Sequence, residues 1–106
     1  MSYRFMRILV FFDLPVISSD DRRAYRRFRN AMLKKGFIMM QESVYCRMVL
    51  NKTMADQVLD SIKREKPEKG LVMSLMITEK QFERMEFIAG EFSTDMVDSD
   101  ERVVFL

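Results

Sequence analysis

Histidine is absent from the 106 residues and cysteine occurs once. Within a single chain these two shortages exclude a disulfide framework, a zinc finger, a Cys-His nucleophile pair and a Ser-His-Asp triad. Any catalysis must run on carboxylates, hydroxyls, lysine or a bound metal. The one thiol, Cys46, sits in an alternating strand pattern and reads as a small buried hydrophobe rather than a reactive group. No apolar run approaches the roughly 20 residues that span a bilayer. The opening Met1-Ser2-Tyr3-Arg4-Phe5 lacks the charged and apolar regions of a signal peptide, so the sequence reads as cytoplasmic. A large excess of one charge is also missing: the formal net charge is +2, which excludes a uniformly basic histone-like binder, and 48% apolar content excludes a disordered chain.

The near balance of charge conceals a division. Residues 1–52 carry 11 Lys/Arg against 4 Asp/Glu, whereas residues 53–106 carry 7 against 12. The first half therefore offers an anion-binding surface and the second an acidic face or tail. The length suits one compact domain over residues 1–106 with a modest core, for which an oligomeric partner is natural support.

Met6 to Asp13 is a β-branched and aromatic run closed by Leu14-Pro15, and it reads as a buried strand. Ser18-Ser19-Asp20-Asp21 supplies caps and first-turn acids for a helix running to about Lys35, stopped by Gly36. Its core face is expected at Ala24, Tyr25, Phe28, Ala31 and Met32. Phe37 to Gln41 and Ser43 to Leu50 read as a hairpin around Gln41-Glu42, a turn without glycine. Thr53-x-x-Asp56 resembles a cap for a second helix through Ile62, which Pro67 closes. Leu71 to Thr78 reads as a fourth strand, and Thr78-x-x-Gln81 as the cap of a helical turn through about Ile88. Residues 1–90 thus form the core, 91–101 an acidic loop, and 102–106, with Val103-Val104-Phe105-Leu106, a C-terminal edge strand.

Strand, helix, strand, strand, helix, strand is the ferredoxin-like βαββαβ order, an α+β fold with both long helices on one sheet face. The strands are nevertheless apolar on both faces. Met6, Ile8, Val10 and Phe12 alternate with Leu9 and Phe11, and Leu71, Met73, Leu75 and Ile77 alternate with Val72 and Met76. Two helices cover only one face, so the sequence predicts a homodimer packed through the other. The methionines Met6, Met32, Met48, Met73 and Met76 are expected to fill the core. Leu33, Met85 and Phe87 are candidate protein contacts.

Asp13 stands at the end of an otherwise apolar strand, where a buried charge needs compensation. One reading is that it accepts hydrogen bonds from the following turn. The other places two copies of Asp13 near a twofold axis, sharing Mg²⁺ or Mn²⁺ that activates water and polarises a phosphodiester. Asp13 is therefore both the candidate catalytic residue and the candidate metal ligand. The first helix carries Arg22, Arg23, Arg26, Arg27, Arg29 and Lys34, with no carboxylate between Arg22 and Arg29. The row Arg22, Arg26, Arg29 is expected to point away from the core, flanked by Arg23, Arg27 and Lys34. Guanidinium forks match phosphates, so this face is the candidate nucleic-acid surface, read by backbone and charge rather than by base. A ligand-sensing regulatory domain on the same fold finds no glycine-rich effector loop here.

Several stretches together resemble the CRISPR-associated Cas-two family, in the branch that accompanies the type II-A effector. They are Met1 to Arg7, Phe12-Asp13-Leu14-Pro15, Arg22-Arg23-Ala24-Tyr25-Arg26-Arg27-Phe28-Arg29, Gly36-Phe37-Ile38-Met39, Gln41-Glu42-Ser43-Val44-Tyr45 and Thr78-Glu79-Lys80-Gln81-Phe82. The resemblance implies a homodimer that bridges two dimers of the Cas-one integrase during spacer acquisition and carries duplex prespacer DNA on its basic surface. It also implies that Asp13 matches a metal-linked aspartate and that the C-terminal strand joins a sheet edge. Such proteins are described both as non-catalytic scaffolds and as Mg²⁺-dependent endonucleases or endoribonucleases; a single carboxylate and no histidine favour the scaffold.

Overall fold

The computed structural model of the chain describes residues 5–91. The expected edge strand over 102–106 and all but the first residue of the acidic loop lie outside the described residues. The elements are β1 (Met6–Asp13), α1 (Ser19–Lys34), β2 (Ile38–Gln41), β3 (Val44–Val49), α2 (Lys52–Arg64), β4 (Leu71–Thr78) and α3 (Glu79–Glu83). The sheet runs β2-β3-β1-β4 with antiparallel neighbours throughout. This is the ferredoxin-like arrangement expected from the sequence. Among the described residues no helix is long and apolar enough to cross a membrane.

Local chemistry sets the helix ends. Ser18 Oγ accepts from the Asp21 backbone N–H at 3.0 Å, and the Asp21 carboxylate accepts from the Ser18 N–H at 3.2 Å, a reciprocal capping box. At the other end Gly36 takes a φ of +91°, the left-handed conformation that releases the chain into β2. The second helix begins earlier than the Thr53 cap expected. Asn51 Oδ1 accepts the Met54 N–H at 2.8 Å, and an amide carbonyl on extended backbone does this as well as a hydroxyl two residues on. The third helix is capped by Thr78 and Gln81 as expected but stops at Glu83 rather than near Ile88. Residues 84–88 are exposed, so continuing the helix would bury no apolar face. In the β2–β3 hairpin, Glu42 and Ser43 make the turn, and an irregularity between Met39 and Gln41 absorbs the missing glycine.

The core lies between the sheet and the two long helices. Ile8, Val10 and Phe12 of β1, Tyr45 and Val49 of β3, Phe28 and Met32 of α1, and Ala55, Val58 and Ile62 of α2 are buried together. Phe12 is the aromatic centre: its ring lies 5.1 Å from Phe28, edge on, and 5.1 Å from Tyr45. The expected face of α1 is borne out, with Ala24, Tyr25 and Ala31 half-buried beside Phe28 and Met32. The methionines divide instead of all filling the core. Met32 is buried and Met6 and Met76 pack against the cluster, whereas Met48 and Met73 are 46% and 52% exposed. The reason is register: Met48 pairs with Arg7 and Met73 with Phe11, on the sheet face away from the helices.

Two stability predictions follow from close contacts. A Cβ on Gly70, whose φ is +93°, would lie 2.6 Å from the Asp13 carbonyl oxygen and 2.6 Å from Leu14 Cδ2, so Gly70→Ala should destabilise by about 1–3 kcal/mol in urea unfolding. The Tyr45 hydroxyl is buried without a hydrogen-bond partner among the described residues, and burial pushes its pKa up. Tyr45→Phe should therefore be neutral or stabilising by up to about 1 kcal/mol in the same assay.

Candidate functional site

Strand parity puts Arg7, Leu9, Phe11 and Asp13 on the face of β1 away from the helices. The same face carries Val44, Cys46 and Met48 of β3 and Leu71, Met73, Leu75 and Ile77 of β4. No described helix covers the Asp13 end of it. Leu71, Met73 and Leu75 are each more than half exposed, a row of large apolar side chains along β4.

Asp13 stands at the end of that row, opposite Leu71. It is exposed, not buried, and within the described residues its carboxylate makes no hydrogen bond or ion pair. This corrects the expectation of a desolvated charge satisfied by its turn: position 13 falls on the sheet face away from the helices, at the end that no other described element covers. Asp13 shares a shallow depression of about 290 Å³ with Phe11, Ser43, Val44, Leu71 and Met73. No group of three or more His, Cys, Asp or Glu side chains converges anywhere in the described residues. One carboxylate alone is a thin donor set for Mg²⁺, which is held by one or two carboxylates with waters and phosphate oxygens; the fit is to a shared site, not to a closed one within the chain.

The opposite end of this face is covered by a cluster that sequence reasoning missed. Arg7 donates from Nε and Nη2 to the Glu79 carboxylate at 2.9 and 2.8 Å, a forked pair. Its guanidinium carbon lies 4.2 Å from the centre of the Phe82 ring, and its Nη1 lies 3.8 Å from Cys46 Sγ. The bond from Arg7 holds the Glu79 carboxyl below its ordinary pKa. Burial pushes the Cys46 thiol up, outweighing the opposing pull of Arg7, in keeping with the inert role expected. The only signal in the sequence was an arginine inside an apolar strand; its partner lies 72 residues away.

The cations of α1 are less uniform than helical periodicity suggests. Arg22 Nη1 donates to the Ile17 carbonyl at 2.8 Å and to that of Val16 at 3.3 Å. Arg23 pairs with Asp20 at 3.0 Å. Arg29 is half-buried and faces the Tyr45 hydroxyl electrostatically, which corrects its place in the outward row: 100° steps bring it beside Tyr25 at the margin of the buried stripe. Arg26, Arg27 and Lys34 are exposed and make no hydrogen bond or ion pair within the described residues. Leu33, also exposed, interrupts the outermost row.

Fold and surface define a small ferredoxin-like protein with a bare apolar sheet end, a lone exposed aspartate and a cationic helix. Residues 6–85 match the family model for CRISPR associated protein Cas2. A CRISPR-associated endoribonuclease Cas2 of Treponema denticola is 50% identical over 95% of this chain and 100% of its own length. The proteins of that name from Streptococcus mutans and Lacticaseibacillus rhamnosus are 43% and 44% identical over 95% of this chain and 93% and 100% of theirs. The chain belongs to the CRISPR-associated Cas2 family. Streptococcal and lactobacillal relatives agree with the type II-A-like branch expected from the sequence.

The Arg7–Glu79 pair generates a pH prediction. A carboxylate whose folded pKa is depressed stabilises the fold above its unfolded value, near 4.3, and loses that contribution as pH falls through the folded one. Glu79→Gln should cost about 1–2 kcal/mol at pH 7. Its stability should then fall less steeply than that of the wild type as pH drops below the ordinary carboxylate range, because the variant has no depressed carboxyl to protonate, read as unfolding midpoints in urea across an acid pH series.

Proposed function

We propose that this chain is the homodimeric scaffold of spacer acquisition, holding duplex prespacer DNA by its phosphate backbone for a Cas-one integrase. The observation that carries the reading is the pairing of surfaces: an unpartnered apolar row on β4 and exposed, unpaired cations on α1. A second copy packed on the first surface doubles the second and aligns it across a twofold axis. Because the Arg7–Glu79–Phe82 cluster occupies the other end of the face, the partner copy packs at the Asp13 end, and the two aspartates approach each other.

The relatives' name favours a second reading on the same residue, a metal-dependent endoribonuclease. Two Asp13 carboxylates and substrate phosphate oxygens are a suitable donor set for Mg²⁺ or Mn²⁺, and the ion when bound would polarise the phosphodiester and activate water. The chain's own contribution is to hold Asp13 in place, through the close approach of Gly70 to its carbonyl, and to supply cations for the backbone.

Integration of a prespacer by the cognate integrase separates the readings. Asp13→Ala should leave dimerisation and integration intact, while the double reversal Arg26→Glu, Arg27→Glu should abolish duplex retention; loss of integration by a dimeric Asp13→Ala would transfer the function to the metal site. Met73→Glu should yield a monomer in sedimentation experiments. A wild type that gives no stimulation of the integrase would end the scaffold reading.

A further inference from the structure

The cations of α1 fall into two sets with different employment. On the row expected to point outward, Arg22 is committed to the Val16 and Ile17 carbonyls, Arg29 is half-buried and exposed Leu33 breaks the charge, so Arg26 is its one uncommitted cation. On the adjacent row, Arg27, Asn30 and Lys34 follow one another at i, i+3 and i+7 with no apolar interruption. They line a groove of about 330 Å³ together with Ala31, Lys35 and Glu65. The single carboxylate there is already matched, Glu65 accepting from Lys35 Nζ at 3.2 Å. Arg27 and Lys34 therefore present two uncompensated charges and Asn30 an amide donor to whatever enters.

We propose that this groove, and not the outermost arginine row, is the track for the phosphodiester backbone of duplex DNA, with Arg22 serving the β1–α1 loop instead. The proposal rests on the scaffold reading and deepens it by naming the residues that grip. Seven residues of helix rise about 10 Å, long enough to meet more than one phosphate of a single strand. Arg27 supplies a fork and Lys34 a point charge at either end of that length. The direction of the track is fixed by the neighbouring cavity, which Arg27 also borders. Asp20, Asp21, Glu65 and Glu68 line it against Arg27, Lys66 and Lys69, and Lys69 is paired with Asp21 at 3.5 Å. Three of those carboxylates are already paired, Asp20 with Arg23, Asp21 with Lys69 and Glu65 with Lys35, and Glu68 offsets Lys66, so that side offers no run of uncompensated cations and the strand leaves Arg27 toward Lys34.

The test is the salt dependence of duplex DNA binding by the dimer, followed by fluorescence anisotropy across a salt series. Arg27→Gln and Lys34→Gln should each reduce the magnitude of the log K against log [salt] slope by about 0.9 for every phosphate no longer neutralised, twice that where both copies touch the duplex. Arg26→Gln, and Arg22→Gln checked for an unchanged dimer, should leave the slope where it is. If Arg26→Gln lowers the slope while Arg27→Gln and Lys34→Gln do not, the groove assignment fails and the outer row is the track. A wild type without salt-dependent duplex binding sinks the scaffold reading, and the groove with it.

Discussion

Two helices cover one face of a four-stranded sheet and leave the other, and nearly every functional feature of this molecule descends from that constraint. β1 is the strand on which it bears hardest. Its even-numbered residues, Ile8, Val10 and Phe12, are sealed under α1 and α2, while its odd-numbered residues reach a face that the fold does not finish. The chain handles the unfinished face differently at its two ends. At one end α3 folds back, and the Arg7–Glu79 fork closes it. At the other the apolar row of β4 stays bare beside Asp13. The feature that limits the bare surface to the Asp13 end is thus an ion pair at the far end of the sheet.

That pair is a demanding choice of lock. Side chains of Arg7 and Glu79 are about one-fifth exposed, so their desolvation is only partly offset by mutual attraction and needs the further contacts that Phe82 and the fork provide. An apolar pair in the same places would hold α3 as firmly but extend the sticky surface over the whole sheet. A forked charge gives one position and one partner, which is the best-attested use of a semi-buried ion pair.

Much of the architecture was readable in advance because period-two and period-3.6 patterns are local. The bounds of β1 and β4, the core face of α1 and the inert Cys46 all follow from spacing alone. The misreadings share a cause in contacts between distant segments. Met48 and Met73 have core-like phase, yet only the register against β1 reveals that their phase belongs to the open face. Arg29 sits at an angle on the helical wheel that is ambiguous until Tyr45 is known to lie beside it. Arg22 reads as a free cation because its acceptors are main-chain carbonyls, which every residue possesses and no pattern marks. Asp13 was found for its position but misjudged for its burial, since only the packing of the helices on the other face shows that its own face is left open.

The absence of histidine has a consequence beyond the catalytic mechanisms it excludes. Arginine, lysine and carboxylate side chains ordinarily keep one charge state from about pH 5 to pH 9, and the single thiol that might change within that interval is pushed upward by burial. The side-chain charges this protein shows to its surroundings therefore change little across that interval. If the proposed binding of DNA holds, its strength follows ionic strength far more than pH near neutrality.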